Sequence, residues 1–208
     1  ATDPAGNVSR EATVTITITK PTDAAQYTDT AGESCRFAAE WMKNTGIFVS
    51  EAISGNRCFQ PNKDVSRGEF LSMLVSVLEL EQDAEVSAAG IGEDAPRWLQ
   101  PYLAAAMRSG LTAGLPDRET FGADAPITGA EAAVMLQNAL DLTLTVETAV
   151  AEGEPLWAEN ALAVMAEYGI DVDANACLTR GDAAQMLYQA SQLAQDAPGI
   201  TVLQTAAQ

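Results

Sequence analysis

One block of residues occurs three times along this chain, and it constrains the fold more than any other feature. Val65-Ser66-Arg67-Gly68-Glu69-Phe70, Ile127-Thr128-Gly129-Ala130-Glu131-Ala132 and Leu178-Thr179-Arg180-Gly181-Asp182-Ala183 share an aliphatic residue, a hydroxyl and an acid in the same places. A hydroxyl followed three residues later by Glu is a capping box, in which each side chain takes an orphan backbone N–H of the helix start; Asp182 makes the third copy a variant of it. The aliphatic residue ahead of the cap can staple the entering chain to the helix. Each block runs into an apolar segment with Met-Leu at a fixed offset: Met73-Leu74, Met135-Leu136 and Met186-Leu187. Upstream of each block another helix ends in Gly plus an aliphatic residue, at Gly46-Ile47, Gly110-Leu111 and Gly169-Ile170, with glycines 64 and 59 residues apart. A period of this kind implies stacked supersecondary units. Helix–loop–helix units over 32–82, 95–144 and 154–194 account for nearly all of the chain after residue 31.

Charge narrows the function. With 11 Lys+Arg against 29 Asp+Glu, the net charge is −18. A general nucleic-acid binder needs excess cations to displace counterions from phosphate, so no nucleic-acid partner is expected. The same balance argues against a basic patch on anionic lipid. The chain has no His, which removes His-based acid–base chemistry, Ser-His-Asp triads and His metal sites. No apolar run approaches the roughly 20 residues that span a bilayer, so membrane insertion is not expected. No basic n-region with an apolar h-region opens the chain. Cys35, Cys58 and Cys177 form neither a disulfide framework nor a zinc set, and no cofactor is implied. A Cys35–Cys58 bridge with Cys177 as a packed thiol, and three reduced, mostly buried cysteines, both remain open.

The ends read differently from the middle. Thr13-Val14-Thr15-Ile16-Thr17-Ile18-Thr19 alternates polar and apolar β-branched residues after the turn chemistry of Asp3-Pro4-Ala5-Gly6-Asn7, which predicts a strand. One strand is not stable alone. Residues 1–22 are therefore expected to close a β-sandwich whose other strands lie upstream, and the chain to be a piece of a longer protein. The segment resembles the closing strand of bacterial immunoglobulin-like repeats. In the tail, 195–208, Ile200-Thr201-Val202-Leu203 is open to either a short strand or a mobile end.

Capping explains most of the repeated block, but not Arg67 and Arg180. The helix macrodipole disfavours a cation at the first helical position. One explanation is an ion pair with an acid of a neighbouring unit. The other is an anion site, since a guanidinium beside backbone N–H donors suits a carboxylate or phosphate. Acidic surroundings would make such a site selective and salt-sensitive. Trp98 and Trp157 each lie 12 residues before the glycine of their unit, where the first unit has Ser34. Either ring is suited to stacking on a sugar or to packing between units. Trp41, level with Ala105 and Val164, is expected in the core, and Phe59 and Phe121, six residues before Val65 and Ile127, are a repeated packing pair.

Together these residues resemble three tandem S-layer homology domains. The family's first helix opens with Trp-Ala and ends in Gly-Ile, and a "GxpDGtFxP" loop leads to "ITRAEF" at the second helix. The second unit matches with Trp98, Gly110-Leu111, Gly114-Leu115-Pro116-Asp117, Phe121 and Ile127-Thr128-Gly129-Ala130-Glu131. The first matches with Gly46-Ile47, Gly55-Asn56, Phe59-Gln60-Pro61 and the block from Val65, the third with Trp157-Ala158, Gly169-Ile170 and the block from Leu178. The resemblance covers about 160 of the 208 residues. It implies a mainly α fold, a pseudo-threefold prism around the second helices, with the β-segment ahead of it. It also implies an extracellular protein on the bacterial cell wall. Such a protein is anchored non-covalently by an anionic secondary wall polysaccharide, pyruvylated in the best-known members, or by peptidoglycan, held in grooves between repeats. Carried over, the carboxylate contact falls on Arg67 and Arg180 and the sugar contact on Trp98 and Trp157. Ser66 and Thr179 are caps that can also offer a hydroxyl.

Three departures accompany the match. The second unit has Gly129 in place of Arg, and the first has no Trp at the family position. The third has 10 residues from Gly169 to Thr179, against 20 and 18 in the others. Two grooves at most keep an arginine. On the anchoring reading, Arg67→Ala and Arg180→Ala weaken wall binding without unfolding the protein. The competing reading is an assembly module of a surface layer or appendage, whose degenerate grooves or apolar faces bind other surface-protein subunits. An enzyme ranks third, because the aligned carboxylates Glu131 and Asp182 are explained by capping. Asp171, Asp173, Asn175 and Asp182 imitate a calcium-loop spacing, but Ala176 stands where the sharp turn needs Gly.

Overall fold

A computed structural model of the chain describes residues 27–48, 51–53, 55–83, 88, 95–116, 120–143 and 153–196. The expected strand within 1–22 and most of the 195–208 tail lie outside the described residues. The elements are α1 (Arg36–Asn44), β1 (Glu51–Ile53), β2 (Asn56–Cys58), α2 (Arg67–Val77), α3 (Gln100–Arg108), α4 (Gly129–Leu140), a 3₁₀ turn (Leu156–Ala158), α5 (Glu159–Glu167) and α6 (Arg180–Asp196). The chain is mainly α, as expected. Among the described residues the sheet is an antiparallel hairpin, β1 on β2, with Ile53 opposite Asn56.

The helix starts and stops follow from local chemistry. Ser66 Oγ accepts the Glu69 N–H while Glu69 Oε2 accepts the Ser66 N–H, and Thr128 and Glu131 repeat the exchange. Asp182 does the same for Thr179, whose hydroxyl donates to the carboxylate at 2.6 Å. At the other end, Ile47, Leu111 and Ile170 donate to the carbonyls of Met42, Ala106 and Met165, five residues back. Gly46, Gly110 and Gly169, with φ of 76°, 74° and 74°, donate to Lys43, Met107 and Ala166. This double bond pattern is the Schellman stop; it requires a left-handed residue, which only Gly adopts without strain.

Tertiary packing links each unit to the next. The first helix of one unit packs on the second helix of the unit before it: α3 on α2, α5 on α4, and α1 on α6. The last of these joins the two ends of the helical region, so the units close into a ring. Three backbone bonds at the axis make the closure explicit. Val65 N–H donates to Leu178, Leu178 to Ile127, and Ile127 to Val65, each at 3.0 Å. The three staple residues are buried there, beside a continuous core that includes Phe59, Phe70, Leu74, Leu103, Ile127, Met135, Leu136 and Met165. The segment before α1 belongs to the ring as well: Tyr27 and Thr30 are buried, and both carboxylate oxygens of Asp29 accept backbone N–H groups, from Phe59 at 2.8 Å and Gln60 at 2.7 Å.

Trp41 is half-buried rather than fully enclosed. Its ring meets Tyr188 of α6 edge-on at 5.6 Å, part of the α1–α6 seam. The three cysteines are free, which removes the Cys35–Cys58 bridge. Cys35 is buried against α6, where it limits space at Gly181, but Cys177 is exposed, contrary to the packed thiol expected. The shortened third loop leaves Cys177 uncovered.

Candidate functional site

The ring has three equivalent seams, where the start of one second helix meets the loop of the next unit. Backbone bonding there is regular. At the first helical position Arg67, Gly129 and Arg180 donate N–H to Ala125, Ala176 and Lys63. At the second, Gly68, Ala130 and Gly181 donate to Ala123, Ala174 and Pro61. With the capping boxes supplying the remaining partners, these backbone donors are engaged inside the protein. An anion would therefore have to be held by side chains.

Arg67 and Arg180 both lie in seams and are both 4% exposed, yet they are bonded very differently. At the seam between the first and second units, Arg67 makes five hydrogen bonds that engage all three of its nitrogens. Nη1 donates to the carbonyls of Phe121 (2.7 Å) and Gly122 (2.8 Å); Nε donates to Glu131 Oε2 (3.3 Å), and Nη2 to Oε1 (3.0 Å) and Oε2 (3.3 Å). Glu131 is itself buried, so this is an enclosed, fully hydrogen-bonded ion pair. Arg67 thus fills the ion-pair role weighed from sequence.

At the seam between the third and first units, Arg180 Nη1 donates to the Phe59 carbonyl at 2.6 Å, and its guanidinium lies 4.6 Å from the centre of the Phe48 ring. No carboxylate of the described residues forms an ion pair with it, although Glu69 occupies the place that Glu131 holds at the other seam. The residue after the phenylalanine differs between the two seams. Gly122 and Gln60 are equivalent, with φ of 65° and 58°. A Cβ at Gly122 would lie 2.7 Å from Arg67 Nη1. Gln60 carries that Cβ, so a guanidinium placed as that of Arg67 would have to shift away from it.

Beside Arg180 stand Tyr27 and Phe48, whose rings each lie 5.3 Å from that of Phe59. Among the described residues the buried Tyr27 hydroxyl has no hydrogen-bond partner. Burial pushes its pKa up, opposed by the positive charges of Arg57 and Arg180. Sequence reasoning missed Phe48, Tyr27 and Gln60 as site residues: none stands at a position whose residue type repeats between units, Phe48 being matched by Thr112 and Asp171 and Gln60 by Gly122.

The third seam carries no arginine, and Gly129 there meets the short loop of the third unit. A Cβ at Gly129 would lie 2.2 Å from the Asp173 carbonyl oxygen and 2.7 Å from Val172 Cγ1. The short loop of the third unit fills the space that Phe121–Gly122 leaves for Arg67. With this loop in place, no side chain fits at position 129 without a shift of the Asp173 backbone.

The remaining candidates fall outside these contacts. Trp98 and Trp157 are 50% and 40% exposed at the starts of their helical segments. The arginine–ring contacts fall on Phe121 and Phe48 instead. Ser66 and Thr179 are occupied as caps. Asp171, Asp173 and Asp182 line an open cleft of about 470 Å³ with Cys177 and Gln189. Asp173 Oδ1 is engaged in a turn, accepting from Asn175 and Ala176, and Asp182 in its cap. Among the described residues no three Cys, Asp or Glu side chains converge as metal ligands, and no helix is long and apolar enough to cross a membrane.

Residues 91–133 match the S-layer homology domain. The matched stretch contains Trp98, α3, its Gly110 stop, Phe121 and the cap block through Glu131. The chain is also similar to the surface-layer 125 kDa protein of Lysinibacillus sphaericus, 28% identical over 160 residues that cover 71% of this chain. It spans only 13% of that protein's length. The family match is thus placed on the second unit.

Proposed function

We propose that the ring is a cell-surface anchoring module of an exported bacterial protein. All three units are read as S-layer homology repeats, and the ligand as an anionic wall glycopolymer, with a pyruvate ketal as one source of the carboxylate. The observation that carries this reading is the contrast between Arg67 and Arg180. A buried guanidinium without a counter-charge is costly, by several kcal/mol before compensation, and a nearby aromatic face offsets only part of it. A ligand carboxylate at Arg180 would take the position that Glu131 takes at Arg67. The exposed faces of Trp98 and Trp157 are suited to sugar rings along the outside of the ring. A non-catalytic role fits the engagement of the aligned carboxylates in caps and in the ion pair.

The test is co-sedimentation with isolated cell walls of Lysinibacillus sphaericus, before and after acid extraction of the secondary polymer. Binding lost on extraction and in Arg180→Ala, with the variant still folded, supports anchoring at this seam. Equal sedimentation of wild type and Arg180→Ala refutes it. A second reading, assembly with other surface subunits, draws on the strongly exposed Phe37 and Leu156. It requires concentration-dependent association that Phe37→Ser and Leu156→Ser abolish.

A further inference from the structure

We infer that Gln60 is the positioning residue that keeps Arg180 available, by preventing its capture by the protein's own Glu69. The inference rests on the anchoring reading for its functional meaning, but its physical content stands on the comparison of two seams. Both arginines dock Nη1 on a phenylalanine carbonyl, Phe121 for Arg67 and Phe59 for Arg180. Both face a helix start with a glutamate at the third position, and both glutamates close their capping boxes identically. The residue after the phenylalanine differs. Where it is Gly122, Arg67 Nη1 occupies the space of the missing Cβ, gains the Gly122 carbonyl and reaches Glu131. Where it is Gln60, that space is filled, and Arg180 keeps one hydrogen bond and the Phe48 ring.

Gln60 is also held in a conformation that ordinarily favours glycine. Its φ is 58°, a left-handed conformation in which the Cβ of a non-glycine residue is crowded by the following carbonyl. The Asp29 carboxylate fixes it there through the Phe59 and Gln60 N–H groups. Glycine would relieve the backbone and admit the ion pair, so Gln60 gives up stability on both counts. Such a residue is expected where an unpaired cation is needed for binding.

The experiment is a double-mutant cycle. Glu69→Gln keeps the capping box, which accepts Gln, but removes the charge. In the wild-type background it should shift Tm little, because Arg180 is not paired with Glu69. In Gln60→Gly it should lower Tm several-fold more, because the substitution has formed the pair. Wall sedimentation should weaken by roughly tenfold or more in Gln60→Gly, as a ligand must now displace Glu69, and should recover in Gln60→Gly/Glu69→Gln. Equal Tm effects of Glu69→Gln in both backgrounds overturn the inference, as does weakened sedimentation that Glu69→Gln does not rescue. Arg180→Ala separates the two levels: if it leaves sedimentation unchanged, the anchoring reading fails while the Tm cycle still decides whether Gln60 holds Arg180 off Glu69.

Discussion

Removing the Arg67 side chain should open the seam between the first and second units. Arg67→Ala deletes five hydrogen bonds and strands Glu131, only 2% exposed, without its counter-charge. Breaking a buried pair from one side costs about 3–5 kcal/mol, because the surviving charge stays desolvated. In a chain of this length each kcal/mol lowers Tm by about 2–4 °C, so the drop should be roughly 6–20 °C. Thermal unfolding followed by far-ultraviolet circular dichroism would measure the drop in Tm, and urea unfolding followed by tryptophan fluorescence the free energy. The decisive comparison is Arg67→Met/Glu131→Leu, which removes both charges and leaves apolar volume; its cost should fall far below that of either single change. A loss under about 1 kcal/mol in Arg67→Ala, the range of an exposed pair, would refute the reasoning. So would a double variant as unstable as the sum of its parts. This expectation replaces the one drawn from sequence, in which Arg67→Ala left the fold intact.

Three further outcomes are expected. Gly129→Ala should lower stability by about 1–3 kcal/mol despite the better helix propensity of alanine, since its Cβ meets the Asp173 carbonyl; unchanged urea unfolding would contradict this. Cys177 should react with a thiol reagent in the native protein, whereas Cys35, buried and with its pKa pushed up by burial, should react only on unfolding; labelling followed by mass spectrometry distinguishes the two. Stability should fall as pH rises above the ordinary tyrosine pKa of 10, because Tyr27 is held protonated in the fold and ionises first in the unfolded chain; Tyr27→Phe should flatten that part of the profile in alkaline urea titrations.

Sequence alone determined where the second helix of each unit begins and where the first one ends. Those decisions are made by groups within five residues of one another: Ser66 with Glu69, Thr128 with Glu131, and each glycine stop with the carbonyls of its own last turn. Repetition made them legible, since three copies with one spacing separate a helix start from coincidence. What the arginines do was not legible, because their partners lie 54 to 121 residues away. Arg67 and Arg180 hold the same place in the similar blocks Val65-Ser66-Arg67-Gly68-Glu69 and Leu178-Thr179-Arg180-Gly181-Asp182, and the residues that differ most, Gly122 and Gln60, face them from across the seam. Gly129 looked like a lost ligand contact until the Asp173 carbonyl was found in the space its side chain would need. Ring closure is equally tertiary: α1 finds α6 because the last unit leaves a second helix uncovered and the first supplies the helix that covers it. Local hydrogen bonds set the elements, and steric complementarity between distant segments chose which seam keeps a cation without an internal counter-charge.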